Sequence, residues 1–319
     1  MKTTKIVFFG TPDFAVAALE ALQQAFTVLA VITQPDRPAG RGRKLTAPPV
    51  KNKALALKIP VWQPESVRGN EFAARLAALE PDFLVTAAYG KLLPRSVLAV
   101  PRLAALNIHA SLLPAYRGAA PIQRAVMNGE KETGITIMEM DEGMDTGAII
   151  LQEAIPIAAD DTAGTVHDKL SVLGAKLIVE AIRAVLCGTA VRRRQDEAKA
   201  SSAPPIQRGE ARINWCAPTN VVHNLVRGMN PWPGAYTESD GKRLKIWAGQ
   251  PAAGRGTPCG LVLEAAPSGI LVATGDGAYR ITRLQAPGKN ILPAAEFLRG
   301  NPLPVGTVLG RQEGGERGE

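Results

Sequence analysis

Lys5-Ile-Val-Phe-Phe-Gly10-Thr-Pro-Asp13 is an apolar run that stops at a glycine and turns. Four consecutive apolar residues, Ile6 to Phe9, suit a strand buried on both faces. Pro12 fits the first position of a following helix, with Thr11 as its cap. Phe14, Ala18, Leu22 and Ala25 then recur at helical spacing, so a helix is expected to about Gln24. Thr27–Thr33 reads as a second strand. Further on, Asn70–Glu80 reads as a helix stopped by Pro81, and Asp82–Ala88 and Ala104–His109 as strands. Strands alternating with helices at this spacing predict an α/β fold with a Rossmann-like parallel sheet. Pro35 to Pro49, rich in Pro, Gly and Arg, interrupts the pattern and is expected to be irregular.

Ile135–Met140 and Ala148–Ile157 read as strands around the loop Asp141–Gly147, and Asp161-Thr162 as the cap of a long helix. Its apolar stripe is Val166, Leu170, Leu173, Leu177, Ile178, Ile182 and Val185. From Val191 to Gly209 the text turns to Arg192-Arg-Arg194, Ala/Ser residues and Pro204-Pro205, which suits an extended linker. A short helix near Pro218–Met229 follows, then strands at Leu244–Ala248, Gly260–Glu264, Ile270–Thr274 and Ala278–Leu284. Short strands separated by turns predict a smaller, OB-like β-barrel. The expected division is a catalytic domain over 1–189, a linker over 190–207 and a second domain over 208–319.

A length of 319 residues fits this two-domain reading. Three well-separated cysteines, Cys187, Cys216 and Cys259, give neither a disulfide framework nor a zinc pattern. The opening residues are too short in apolar length for a secretion signal, and no run reaches the ~18 residues of a membrane span. A soluble, cytoplasmic chain with no membrane association is expected. The net charge of +8 is uneven. Residues 190–319 carry +6, and residues 34–53 alone carry +5 through Arg37, Arg41, Arg43, Lys44, Lys51 and Lys53 against Asp36. Either the surface is passively basic or the partner is a polyanion. Charge does not choose.

The chemistry-bearing residues are few. His167 and His223 are expected on solvated helix faces. His109 stands at the C-terminal end of an expected parallel strand, where ligand sites of open α/β sheets lie. Asn107 precedes it by two, so both leave the same strand face. They form either a satisfied core pair or a site. Met140-Asp-Glu-Gly-Met-Asp-Thr-Gly147 places three acids in eight residues. It can be a solvated hairpin loop, a weak calcium candidate, or a loop whose carboxylate orients His109. Met138, Met140 and Met144 read as core filler. There is no GxGxxG after the first strand, no Walker loop, no GxSxG and no HExxH. An Asn/His/Asp site without metal or side-chain nucleophile suits direct acyl transfer. Asn107 would donate to an oxyanion, and Asp145 would hold the imidazole of His109.

At these residues a family comes into view. Asn107-Ile-His-Ala-Ser-Leu-Leu-Pro114, with Tyr116-Arg-Gly-Ala-Ala-Pro-Ile-Gln123, resembles the signature of formyltransferases that use 10-formyltetrahydrofolate. Met140–Gly147 resembles their second motif. Gly10-Thr-Pro-Asp-Phe14, Thr33-Gln-Pro-Asp-Arg-Pro-Ala-Gly-Arg-Gly-Arg-Lys44, Arg212-Ile-Asn-Trp215, Asn230-Pro-Trp-Pro233 and Ala273-Thr-Gly-Asp-Gly277 resemble the methionyl-tRNA formyltransferase family within that superfamily.

The resemblance implies transfer of the formyl group of 10-formyltetrahydrofolate to the amino group of methionyl initiator tRNA, by a monomer without a metal. It implies Asn107, His109 and Asp145 as the catalytic trio. Ser111, Leu112, Leu113 and Pro114 would contact tetrahydrofolate, and Arg41, Arg43 and Lys44 would contact tRNA. The second domain would add tRNA contacts. The chain departs from the family pattern in two places: Ser202-Ala-Pro-Pro205 stands where Tyr-Ala-x-Lys is usual, and Ala115 where a basic residue is common. The rival readings are a sister formyltransferase acting on a small amine, such as a sugar nucleotide or glycinamide ribonucleotide, and a non-catalytic nucleic-acid-binding protein.

Overall fold

The run that opens the reading is β1, Lys5–Gly10, whose residues from Ile6 onward are buried. Complete burial of a Phe side chain contributes about 1.5–3 kcal/mol, and Phe8 and Phe9 are both fully buried here. A computed structural model describes residues 4–39 and 44–310. Its contacts divide the chain into two units. One comprises residues 1–121, 132–156 and 167–204, the other residues 122–131, 157–166 and 205–319.

In the first unit β1 leads through a 3-10 turn, Asp13–Ala15, into α1, Val16–Ala25. Gly10 allows that turn to lie close to the strand. A Cβ there would stand 2.7 Å from the Phe8 ring and 2.9 Å from Ala15. Thr11 does not cap the helix as expected. Its hydroxyl donates instead to the Tyr89 carbonyl at 3.0 Å, and Pro12 takes the cap position. β2 is Thr27–Ile32.

The Pro35–Pro49 stretch is not wholly irregular. Arg37–Ala39 (β3) pairs antiparallel with Lys44–Thr46 (β4). A two-stranded ribbon needs N–H groups only at alternate positions, so Pro38 can stand opposite Leu45. α2, Pro49–Ala56, follows with a proline in its first turn.

Next come β5 (Val61–Trp62), α3 (Asn70–Ala77), β6 (Phe83–Ala87), α4 (Arg95–Leu98) and β7 (Ala104–His109). After α5 (Pro121–Met127) the sheet is completed by β8 (Glu132–Glu139) and β9 (Ile149–Pro156), and α6 spans Ala163–Leu186. The strand order is β5-β2-β1-β6-β7-β8-β9. The first five run parallel, while β8 and β9 are antiparallel. The sheet is therefore mixed and parallel-dominated, and β7 sits inside it with a partner on each side.

The stretch read as a linker is extended, and it pairs with the first unit. Ile149 and Arg193 exchange backbone hydrogen bonds at 2.8 and 2.9 Å, and Arg117 N–H donates to Ser201 O at 2.8 Å.

The second unit carries α7 (Thr219–Gly228) and the strands β10 (Ala235–Ser239), β11 (Lys242–Ala252), β12 (Val262–Ala266), β13 (Gly269–Ala273) and β14 (Ala278–Gln285). A two-residue β15, Leu292–Pro293, pairs with β14, and α8 is Ala294–Gly300. The antiparallel order is β10-β11-β14-β13-β12, the smaller OB-like module that the spacing of short strands predicts. Trp215, Val222, Val226, Ile246, Tyr279 and Phe297 lie in its core. Trp215 satisfies its indole N–H on Thr237 at 3.0 Å. β10 and α8 escape the sequence reading because both are short and neither carries a clear period.

Candidate active site

The end of β7 places Asn107 and His109 on one face, opposite Thr86 of β6 and Thr136 of β8 respectively. Asn107 Oδ1 accepts from Thr86 Oγ1 at 2.6 Å. That bond fixes the amide so that Nδ2 faces outward, 3.4 Å from Asp145 Oδ1. His109 is buried. Its Nε2 lies 2.9 Å from the Tyr116 carbonyl and its Nδ1 3.5 Å from Asp145 Oδ2. Each ring nitrogen thus faces an oxygen atom. Asp145 Oδ2 also accepts from the Gly118 N–H at 2.9 Å. The three side chains that sequence reasoning singled out are together.

The loop distinguishes its acids. Asp141 is exposed, and its Oδ1 accepts from Gly143 N–H at 3.0 Å and Thr146 Oγ1 at 2.7 Å. That is a local turn, not a site contact. Glu142 is exposed. Asp145 has φ +57, a left-handed conformation uncommon outside glycine, and this turns its carboxylate toward β7. Among the described residues no group of three or more His, Cys, Asp or Glu side chains is arranged to hold a metal. Met138 is core, as expected, but Met144 is 56% exposed because it sits at the tip of the acidic loop.

Residues 111–114 form a turn tied to β8. Thr136 Oγ1 donates to Ser111 O at 2.7 Å and accepts from Leu113 N–H at 3.1 Å. Gln152 Nε2 donates to Leu113 O at 3.0 Å. Ser111 Oγ donates to Ala115 O at 2.6 Å. Leu113 is buried, while Leu112 and Pro114 keep partly exposed apolar surface that a flat heterocycle can cover. Gly118 has φ +120, and a Cβ there would stand 2.8 Å from Ala203 O. Only glycine fits that approach. Arg41 and Arg43 lie outside the described residues; Lys44 is exposed. Arg192, in the linker, pairs with Glu139 at 2.7 Å.

Sequence reasoning missed several members of the site. Thr86 orients Asn107, and Gln195 Nε2 donates to the carbonyls of Asp145 and Gly147, both at 2.8 Å. Arg117 forms a two-pronged pair with Glu197, 2.8 Å at each prong. Hydrogen bonding to Arg117 holds the Glu197 carboxyl below its ordinary range. Arg117 stands inside the quoted Tyr116–Gln123 motif, but no motif announces Thr86, Gln195 or Glu197, which come from segments distant in the chain. Elsewhere, His167 keeps part of its ring exposed, 2.9 Å from Asp168. His223 is half-buried rather than solvated, with Nε2 3.2 Å from Ala159 O, and burial lowers its pKa. In the second unit a cavity of about 700 Å³ is lined by Arg212, Trp215, Cys216, Cys259 and Leu309 among others; none of the trio lines it.

Comparison with known proteins gives a family. A formyl transferase model matches residues 4–182, and a formyl transferase C-terminal domain model matches residues 205–302. The methionyl-tRNA formyltransferase of Pelotomaculum thermopropionicum is 52% identical over 309 residues, covering 96% of this chain and 98% of the relative. That of Aromatoleum aromaticum is 53% identical over 303 residues, 95% and 96% of the two chains.

Among solved structures, an N-formyltransferase from Helicobacter canadensis in complex with folinic acid and dTDP-3-aminofucose matches with TM-score 0.66. Its identity is 22%, over 87% of this chain and 98% of that one. HypX from Aquifex aeolicus in complex with tetrahydrofolic acid matches with TM-score 0.64 at 19% identity, over 98% of this chain and 51% of that one. At these identities the structures speak for the fold.

Proposed function

The chain belongs to the formyl transferase family, and we propose on that premise that Asn107, His109 and Asp145 carry out the transfer. The reaction moves the formyl group of 10-formyltetrahydrofolate to the amino group of methionyl initiator tRNA, giving formylmethionyl-tRNA for translation initiation. Relatives of about 50% identity over nearly the whole chain support it. The folate derivative is a cosubstrate that supplies the activated formyl carbon.

In this reading Asn107 Nδ2 donates to the formyl oxygen as negative charge develops there. With its oxygen on the Thr86 hydroxyl, that amide keeps its Nδ2 toward Asp145. His109, when protonated, adds positive charge beside the same oxygen. Asp145 holds the imidazole and takes the proton that the attacking amine must lose as the new C–N bond forms. The bond from the formyl carbon to N10 then breaks, and the proton taken up by Asp145 passes on to N10. Preorganised donors are worth most when they need not move during reaction, and every member of the trio has a fixed partner. The turn 111–114 offers Leu112 and Pro114 to the folate ring. Arg41, Arg43 and Lys44 supply cations for the tRNA, and residues 190–319, which carry +6, add more. We assign residues 1–189 to catalysis and 208–319 to tRNA contact, in a cytoplasmic monomer.

The single observation that carries the site assignment is the convergence of Asn107, His109 and Asp145 within 3.5 Å contacts at the end of β7. The experiment is formylation of charged initiator methionyl-tRNA, charged elongator methionyl-tRNA and an amino-sugar nucleotide by the same preparation. Transfer to the initiator in preference to both others is expected. Preference for the sugar nucleotide would overturn the reading.

A further inference from the structure

We propose that Gln195 is a positioning residue for formyl transfer, holding the Asp145 loop and the 116–118 turn at the separation that brings Asp145 to His109 and Asn107. The proposal rests on the roles given above to those three residues. Gln195 lies in the stretch that reads as a linker and is buried, 5% exposed. Its amide is spent in two directions. Nε2 donates to Asp145 O and Gly147 O, both at 2.8 Å. Oε1 accepts from Arg117 Nε at 3.1 Å and Nη2 at 2.8 Å. The chain on either side of Arg117 touches the trio directly: the Tyr116 carbonyl meets His109 Nε2 at 2.9 Å, and the Gly118 N–H meets Asp145 Oδ2 at 2.9 Å. One side chain therefore links the loop that carries the carboxylate to the turn that contacts both the carboxylate and the imidazole.

The residue type follows from the partners. Two carbonyls need two N–H donors, and a guanidinium needs an oxygen acceptor. Only a primary amide offers both at one place. Glutamine reaches across; asparagine is one methylene shorter. The other end of Arg117 is held by Glu197, which leaves its guanidinium little freedom. Asp145, at φ +57, stands in a conformation its own backbone does not favour. Its carbonyl is one of the two that Gln195 grips.

The test compares single-turnover formylation of charged initiator tRNA by wild type, Gln195→Met, Gln195→Glu, Asp145→Asn and the double variant Gln195→Met/Asp145→Asn. Misplacing a reacting group by about 1 Å can cost on the order of 100-fold, so Gln195→Met is expected to slow the step by about 10- to 100-fold, with KM for both substrates changed by less than about twofold. Gln195→Glu keeps an acceptor for Arg117 but cannot donate to the two carbonyls, and is expected to lose as much. It carries the test if the methionine variant fails to fold by circular dichroism.

With Asp145→Asn already in place there is no carboxylate left to position, so adding Gln195→Met should cost less than about threefold more. A purely structural role would instead multiply the two losses. Multiplicative losses, or a wild-type rate in Gln195→Glu, overturn the proposal while leaving the trio intact. A wild-type rate in Asp145→Asn overturns the reading beneath it.

Discussion

Two charged stretches of the first unit, the acidic loop 140–147 and the basic segment 34–53, are built in opposite ways. The acidic loop is tied at nearly every turn. Gly143 and Thr146 close on Asp141, Gly118 holds the Asp145 carboxylate, and Gln195 holds the carbonyls of Asp145 and Gly147. Among the described residues of the basic segment, Lys51 meets Asp36 at 2.8 Å and Lys53 meets Glu20 at 2.5 Å at its base, and Arg37–Ala39 pairs with Lys44–Thr46 through the backbone. Between these, the described parts of the ribbon are exposed, Leu45 to 71%. Chemistry on a single carbonyl needs charge fixed to fractions of an ångström. Attraction to a polyanion needs cations that can be reached from solvent. The acidic loop is held by side-chain and backbone hydrogen bonds, while the described ribbon residues of the basic segment keep their side chains exposed.

The comparison would break most sharply if the acidic side tolerated change. Removing one preorganised donor typically costs ~100–1,000-fold in rate, so Asn107→Ala and His109→Ala are expected to fall by about that order with the fold retained. Asp145→Asn keeps size and loses charge, and a comparable loss is expected while tetrahydrofolate still binds. Asp141→Asn, whose carboxylate serves only its own turn, should stay within about threefold of wild type. Single-turnover rates with circular dichroism on the same preparations give the result. A dead Asp141→Asn beside an active Asp145→Asn would mean that the wrong acid has been placed at the centre.

How much of this was legible beforehand depends on where the partners lie. Alternation along β7 puts Asn107 and His109 on one face, and that needs no structure. Which acid of the loop reaches them does not follow from alternation or composition, because Asp141, Glu142 and Asp145 are equally acidic; the family resemblance names Asp145, and the structure brings that carboxylate to both. The choice follows from Asp141 closing on Gly143 and Thr146. Gln195 was invisible because its partners stand 48 to 78 positions away and its neighbours read as a linker. Thr86 was hidden in the same way, one strand removed from Asn107. The β3–β4 ribbon is not legible because Pro, Gly and Arg crowd Pro35–Pro49 and leave no alternating pattern, while a narrow ribbon leaves alternate nitrogens free. In the second unit the long strands were readable and β10 was not. Ala-Tyr-Thr-Glu-Ser is held by Lys242–Ala252 beside it, not by its own pattern.

The basic side sharpens the comparison through Arg41. A guanidinium can contact phosphate or base edges with two parallel hydrogen bonds, which an ammonium cannot copy. Arg41→Leu is expected to weaken transfer to tRNA by about five- to a hundredfold, the range of one such contact. Folate binding and the melting temperature should be unchanged, and Arg41→Lys should restore part of the loss. The slope of log affinity against log salt should shrink by roughly one for each phosphate contact removed. Titrations of tRNA over a salt series check this. An unchanged initiator preference in Arg41→Leu would move selectivity to the second unit.

The smallest effect is expected at the base of the basic segment, where Asp36 accepts from Lys51 at 2.8 Å and from Gln63 at 2.7 Å. The hydrogen bond from Lys51, then that from Gln63, holds the carboxyl below its ordinary range against the opposing effect of burial. A carboxyl lowered on folding adds stability above its unfolded value near 3.9 and loses it as pH falls through the lower folded value. Between pH 7 and 5 this anchor is therefore charged in both states, and tRNA affinity should not vary on its account. Asp36→Asn keeps an acceptor for Lys51 and loses the charge. It should change tRNA affinity less than Arg41→Leu does and leave single-turnover chemistry on bound tRNA at the wild-type rate. It should also flatten any acid-side loss of stability that wild type shows below about pH 4. If Asp36→Asn instead slowed the chemical step, the basic segment would be part of the fixed geometry, and the two stretches would differ in sign of charge alone.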